Sequence, residues 1–136
     1  MGLPELYIVL MGWAAFLSPY ETPSSPPPVA TATLEYMRSY VCPDTMTCPV
    51  VGMYRQGTVY IRDTLDPFND PYARSILVHE FVHHLQRINN SHQNQAHPCY
   101  RANVREIEAY GIQNAYLIHP EQTRTHVNYV PTNCGE

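Results

Sequence analysis

Two histidines and a glutamate stand in the sequence at a spacing that suits metal chemistry. His79, Glu80 and His83 form the pattern H-E-x-x-H inside residues 75–86, which read SILVHEFVHHLQ. On an α-helix, residues i and i+4 lie on one face about a turn apart, so the two imidazoles can bind the same ion. Imidazole nitrogen is a ligand that Zn²⁺ accepts readily, and zinc is therefore the predicted metal.

Glu80 is the predicted catalytic residue of this group. Because successive helical residues are about 100° apart, its side chain lies beside the ligand face. From there a carboxylate can reach a water molecule at the metal without binding the metal itself, as a general base requires. Gln86 lies one turn beyond His83 on the ligand face, where it could bond a substrate or orient a ligand.

The residues around the motif predict that its helix is buried. Leucines and valines lie on both sides of the histidines. Two imidazoles and a carboxylate are costly to desolvate in an apolar interior, and a bound metal offsets that cost. The competing interpretation is a surface helix whose His and Glu side chains are solvated, and the apolar flanks disfavour it.

A catalytic zinc needs a third protein ligand and one open position. Residues 101–118 are predicted to form a second long helix, which ends before Pro120 and carries two carboxylates, Glu106 and Glu108. These side chains lie roughly 160° apart around the helix, so only one of them can face the metal. Spacing alone does not choose between them.

Together the two motifs resemble those of the gluzincin metallopeptidases, the thermolysin-like clan. The resemblance rests on His79-Glu80-x-x-His83 and on the later E-x-x-A that begins at Glu106. It implies that Glu106 is the third zinc ligand and that the protein is a zinc-dependent hydrolase that cleaves peptide bonds. Tyr110 stands where the clan usually has an Asp that supports a ligand histidine. The longer signature, H-E-x-V-H-x-x-Q with E-x-E-A-Y-x-x-Q, is similar to one in a group of short bacterial proteins.

The resemblance also implies a substrate-binding strand. In gluzincins a strand ahead of the active-site helix forms the edge along which a peptide substrate binds, and residues 57–62 are the expected equivalent. Zincins further need a group beside the zinc that stabilises the oxyanion. The sequence leaves five candidates open for this role: His92, His97, Tyr100, Tyr110 and His126.

The elements that position these residues follow from hydropathy and turn residues. Residues 50–54 and 58–62 are typical of a β-hairpin, and Asp70 followed by Pro71 is a typical start for a helix over residues 71–88. With a short helix over residues 33–40 and the later Glu-bearing helix, the order is helix, hairpin, helix, helix. We therefore predict an α+β fold, a small zincin-like domain with a hairpin or edge strand, the H-E-x-x-H helix and a following Glu-bearing helix.

The first 28 residues differ in composition from the rest of the chain. Residues 6–17 are an apolar run without charge, and residues 18–28 form a Pro/Ser-rich linker. We predict an N-terminal segment at 1–28, a signal peptide or anchor plus the linker, ahead of a minimal metallopeptidase domain at 29–136. Two alternatives stay open. The segment is a terminal apolar helix or strand that packs on the domain, or it is a pro-segment that occupies the cleft until it is removed.

Four cysteines in so short a chain predict two disulfides, Cys42–Cys48 and Cys99–Cys134, if the compartment is oxidising. Free buried thiols and a metal site are the alternatives for these residues. Together with the apolar N-terminus, the cysteine count predicts export to the periplasm or the extracellular space.

Composition limits the class of protein and its partners. The chain of 136 residues has a net charge of -4, its 8 basic residues are all arginine, and they form no cluster. It therefore lacks the electrostatic footprint for nucleic acid, and membrane contact is expected only if residues 1–18 are retained as an anchor. A peptide or protein substrate is the predicted partner. The competing hypothesis is a non-catalytic binding or structural domain that a gluzincin-like metal site stabilises.

Overall fold

The computed structural model describes residues 1–41 and 50–135. In chain order the elements are α1 (Leu3–Phe16), β1 (Val29–Ala32), α2 (Leu34–Val41), β2 (Gly52–Arg55), β3 (Thr58–Arg62), α3 (Pro71–Ile88) and α4 (Pro98–Ile118). Within the described ranges, helices and a three-stranded mixed sheet confirm the predicted α+β fold, with the H-E-x-x-H motif on α3. The predicted Cys42–Cys48 disulfide lies outside the described residues.

The sheet has the strand order β1-β3-β2. β3 pairs in parallel with β1 and antiparallel with β2, and the hairpin turn has φ values of 51° at Gln56 and 82° at Gly57. Glycine adopts such positive φ values without strain, which suits a two-residue turn. Residues 57–62 therefore hold the central strand. This corrects the expectation that they form the substrate-binding edge, because β3 is already paired on both sides.

The two long helices begin at caps that the sequence encodes. The Asp70 side chain caps α3, and Pro71 follows in its first turn, as predicted. α4 begins at Pro98, ahead of the predicted residue 101, because the His97 side chain caps it. Proline suits the first helical position, where its missing N–H would have no partner in the helix anyway.

α3 lies at the centre of the hydrophobic core. Leu77, Phe81 and Leu85 are fully buried there, and α1 supplies Leu10 and Met11, which are 1% and 2% exposed. The N-terminal segment thus packs on the domain as a helix, which is one of the alternatives left open above. Its removal as a signal peptide or pro-segment stays a prediction. In the described part of the chain, no helix has the length and hydropathy needed to cross a bilayer.

The chain after α4 turns back and runs beside that helix, and we call residues 123–135 the C-terminal strap. Two asparagines of α4 each donate to and accept from the backbone of one strap residue, at 2.8–2.9 Å: Asn114 with Val127, and Asn103 with Thr132. The predicted disulfide between Cys99 and Cys134 is confirmed and ties the end of the strap to the start of α4. The strap is therefore fixed at several points along the helix.

Candidate metal centre

The structure brings the three predicted metal ligands together. His79 and His83 lie one turn apart on α3, and their Nε2 atoms are 3.2 Å from each other. Glu106 reaches them from α4, with its Oε1 atom 3.5 Å from His79 Nε2 and in direct contact with His83 Nε2. Two nitrogens and one oxygen from two helices therefore converge on one point. Glu80 lies nearby, since donor atoms of His79, Glu80 and His83 are within 4.8 Å of one another, and this group could hold a metal ion.

The Glu80 side chain is buried where α3 packs against Gly52, the first residue of β2. A Cβ atom added to Gly52 would lie 3.1 Å from Glu80 Oε2, so the carboxylate fills space that a side chain there would need. Burial raises the pKa of Glu80, and the charges of His79 and His83 offset only part of this effect. A carboxylate with a raised proton affinity is a stronger base.

His79 is held in one tautomer by a chain of hydrogen bonds. Its Nδ1 lies 2.9 Å from Gln113 Oε1, and Gln113 Nε2 donates to Ser75 Oγ at 3.0 Å. Ser75 Oγ in turn donates to the Tyr72 carbonyl at 2.7 Å, so its own proton is used and it must accept from Gln113. The Gln113 oxygen therefore faces Nδ1, which must carry a proton. This leaves His79 Nε2, on the side toward Glu106, as the nitrogen that can bind a metal.

A second chain fixes His83 in the same way. Its Nδ1 lies 2.8 Å from Gln86 Oε1, and Gln86 Nε2 donates to the Arg105 carbonyl at 2.9 Å and to Glu108 Oε1 at 3.0 Å. These two oxygens accept, so the amide oxygen of Gln86 must face His83, whose Nδ1 donates. Each of the two histidines thus has an outer partner that fixes its orientation, as metal-binding histidines usually have.

The charges at the convergence point favour a cation. Burial opposes ionisation of both Glu106 and His83, yet their mutual hydrogen bond and the charges around them outweigh it. The pKa of Glu106 therefore falls well below its usual range, and that of His83 rises to about 9. Positive charge is stabilised at this point, and a divalent ion can supply it in place of a proton. Two imidazole nitrogens and a carboxylate oxygen are a donor set that fits such an ion.

The centre opens into a cavity of about 820 Å³, lined by α3, α4, β2 and Val127 of the C-terminal strap. Tyr110, one turn after Glu106, packs edge-to-face on His79, with ring centroids 4.4 Å apart. The same ring stacks on Tyr129 of the strap, with centroids 4.8 Å apart. The strap therefore supports a wall of the cavity directly beside a ligand histidine.

Of the five candidates for oxyanion stabilisation, Tyr110 lines the cavity and the other four do not. Within the described residues its hydroxyl has no hydrogen-bond partner. Burial and the negative charges of Glu106 and Glu80 raise the pKa of Tyr110 to about 12, so the hydroxyl stays a donor at neutral pH. By contrast, His97 caps α4, and the Tyr100 hydroxyl donates to a strap carbonyl.

Sequence reasoning missed Gln113 as the support of His79. In the gluzincins that the motifs resemble, an Asp at the position of Tyr110 usually supports a ligand histidine. Here Gln113, one turn beyond Tyr110 on α4, supports His79. A signal was present, because Gln113 follows Glu106 by two helical turns and shares its face. The contact of Tyr129 with the site carried no signal, because the strap is irregular and its position depends on contacts distant in sequence.

No protein-family model matches this chain, and no curated protein or solved structure matches it either. The functional interpretation therefore depends on the motif residues and on the geometry of the site.

Proposed function

We propose that this protein is a zinc-dependent hydrolase, a small gluzincin-type metallopeptidase that cuts peptide bonds. The observation that carries the proposal is the convergence of His79, His83 and Glu106, with the Nδ1 atom of each histidine held by a glutamine so that Nε2 faces the point of convergence. Three protein ligands are the set found in catalytic zinc sites, which keep the fourth position for water or substrate.

Each residue of the site has a role in this proposal. Zinc, when bound, polarises the substrate carbonyl and increases the acidity of water. Glu80 accepts a proton from the attacking water and passes it to the leaving amine, a task that its raised pKa favours. The Tyr110 hydroxyl donates to the oxyanion. β2 is an outer strand of the sheet and lines the cavity, so its backbone can pair with an extended peptide.

Metal content and peptide hydrolysis of matched variants test the proposal. The wild type is expected to retain zinc on purification, and His79→Ala should lose it because a ligand is gone. Glu80→Gln should retain zinc but hydrolyse a mixed peptide library at least about 100-fold more slowly, since the general base is removed. His119→Ala removes an exposed histidine outside the cavity, and this control should change neither quantity.

A failure to bind zinc in the wild type and in His79→Ala alike would overturn the proposal. Zinc retention without hydrolysis would favour a second candidate, a non-catalytic binding or structural domain. That candidate has support of its own, because the ligands come from both α3 and α4, and a metal joining two helices would stabilise the fold.

We also infer that the protein is exported to the periplasm or the extracellular space. The Cys99–Cys134 disulfide supports this inference, because disulfides persist in oxidising compartments and are rare in the cytosol. Thiol labelling of exported and cytosolic fractions tests it. The protein should be found in the exported fraction with these cysteines resistant to labelling, and a fully labelled cytosolic protein would contradict the inference.

A further inference from the structure

The cavity beside the metal centre has two chemically different arms. Toward the start of α3 its walls are apolar or aromatic, and the residues of this apolar arm include Tyr72, Ile76 and Val127. Toward the end of α3 its walls carry guanidinium and amide groups, and the residues of this cationic arm are Arg87, Asn90, Gln93 and Arg105. The ligand histidines lie between the arms on α3, so a substrate at the metal extends into one arm or both.

The two arginines of the cationic arm have no carboxylate partner among residues 1–41 and 50–135. Arg87 Nη1 makes one long hydrogen bond, 3.4 Å to Tyr54 Oη, and Arg105 Nη2 donates to the Ser91 carbonyl at 3.2 Å. Arg105 Nε is buried and has no acceptor among the residues that the structure describes. A buried donor without an acceptor is costly, and an anionic ligand would supply the missing oxygen.

Arg74, by comparison, is an arginine whose nitrogens all have acceptors within the fold. Two of its nitrogens donate to the two oxygens of Glu121, at 2.5 and 2.9 Å, and a third donates to two backbone carbonyls at 3.0 Å. Arg87 and Arg105 both line the cavity, and neither has such a pairing within the described ranges. Their remaining donors are therefore free to bind a ligand.

The carboxylates near the cationic arm are already engaged elsewhere. Glu108 Oε1 accepts from Tyr20 Oη at 2.5 Å and from Gln86 Nε2 at 3.0 Å. Glu106 faces the two ligand histidines. In the described part of the chain neither glutamate pairs with Arg87 or Arg105, so the arm keeps its positive charge.

We infer that the cationic arm binds a carboxylate of the substrate, so that the preferred peptides carry an acidic group close to the bond that is cut. This inference rests on the proposed function. Arg87 follows His83 by about 6 Å along α3, and an extended peptide advances about 3.5 Å per residue. The carboxylate therefore belongs to a residue one or two positions from the cut bond, as its side chain or as the chain terminus. The apolar arm takes an apolar side chain on the other side of that bond.

Three hydroxamate probes that share one apolar body test this inference, because the hydroxamate anchors each probe at the metal. The first ends in a free carboxylate, the second in a carboxamide, and the third in a carboxamide with an aspartate side chain beside it. Calorimetry gives their affinities for the zinc-loaded full chain as wild type, Arg87→Gln, Arg105→Gln and Arg124→Gln. Arg124 is exposed and lies outside the cavity, so it controls for the loss of one positive charge.

The wild type is expected to bind a carboxylate probe about tenfold more tightly than the carboxamide probe. Arg87→Gln and Arg105→Gln should each reduce this preference to about threefold or less, whereas Arg124→Gln should keep it. The probe that binds more tightly, the first or the third, shows whether the arm selects a chain terminus or an acidic side chain. Arg87 is exposed, so its variant gives an answer even if Arg105→Gln does not fold.

Equal affinities for all three probes would overturn this inference and leave the proposed function standing, because binding itself reports the metal site. An equal loss of preference in Arg124→Gln would reveal a general charge effect and would also overturn it. If no probe binds the zinc-loaded protein, the proposed function fails, and the inference fails with it.

Discussion

Single residues around the candidate metal centre show how the protein orients His79 and His83. Gln113 and Gln86 accept from the Nδ1 atoms of His79 and His83, at positions where a carboxylate could also serve. A neutral amide fixes the tautomer without adding negative charge to a site that already contains two carboxylates. The amides are fixed in turn by oxygens that accept from their nitrogens. The orientation of both ligands thus depends on a few buried polar groups.

Replacing Gln113 by leucine should weaken metal binding by about 10- to 100-fold, because His79 would lose the partner that fixes its ring. Competition with a chromophoric zinc chelator measures this affinity. Gln122→Leu is the matched control, because Gln122 is exposed and lies outside the cavity, and it should bind zinc like the wild type. Unchanged zinc affinity in a folded Gln113→Leu protein would contradict the role assigned to this amide.

Tyr110→Phe should lower kcat by about 100-fold while zinc content and KM stay close to those of the wild type. The substitution keeps the ring contacts with His79 and Tyr129 and removes only the hydroxyl group of this cavity-lining residue. Steady-state kinetics on one hydrolysed peptide provide the measurement. In the control Tyr100→Phe the lost hydroxyl lies outside the cavity, and kcat should not change. Full activity of Tyr110→Phe would show that another group stabilises the oxyanion.

At the scale of elements, the site depends on how closely β2 approaches α3. A Cβ atom at Gly52 would lie only 2.6 Å from Ile76 Cγ2 and 3.1 Å from Glu80 Oε2. Gly52→Ala should therefore push the strand away from the helix, lower the free energy of unfolding by about 1–3 kcal/mol and displace the general base. Thermal melting and peptide hydrolysis should both report the change.

Gly111→Ala is the control for Gly52→Ala. It adds the same methyl group on α4, where the new Cβ meets no described atom within 4 Å apart from the neighbouring backbone of the helix, and alanine favours a helix over glycine. The melting temperature should stay the same or rise. If Gly52→Ala were as stable and active as Gly111→Ala, close packing of β2 on α3 would not be what holds Glu80 in place.

The sequence specified single elements better than their contacts. The start of α3 at Asp70 and Pro71 and the shared face of His79 and His83 follow from local rules of capping and helical periodicity. β1 was not predicted, because its parallel pairing with β3 joins segments about thirty residues apart and leaves no local pattern. For the same reason, the local sequence did not show that β2, and not β3, is an outer strand of the sheet. For the site, motif spacing selected His79, Glu80 and His83, and the resemblance selected Glu106. The outer partners of the histidines depend on how α3 packs on α4.

For the whole molecule, one helix links the core to the site. The buried apolar face of α3 packs on α1 and the sheet, while its histidines face α4 and the cavity. α1 contributes Leu10 and Met11 to this core. Tyr20, which follows α1, donates to Glu108, and Glu108 also accepts from Gln86, the residue that orients His83. The N-terminal segment therefore contributes both to stability and to the surroundings of the metal centre.

A chain that begins at residue 29 should lose its cooperative fold and its zinc. Each large apolar side chain that α1 buries contributes about 1.5–3 kcal/mol, and whole domains are stable by only about 5–15 kcal/mol. Near-UV circular dichroism, thermal melting and zinc retention of 29–136 against the full chain provide the measurement. In the full chain, Leu10→Ala should cost about 2–5 kcal/mol, whereas Ile8→Ala, at an exposed position of the same helix, should change stability by no more than about 0.5 kcal/mol. A shortened chain that melts cooperatively and retains zinc would instead support removal of the first 28 residues as a signal peptide or pro-segment.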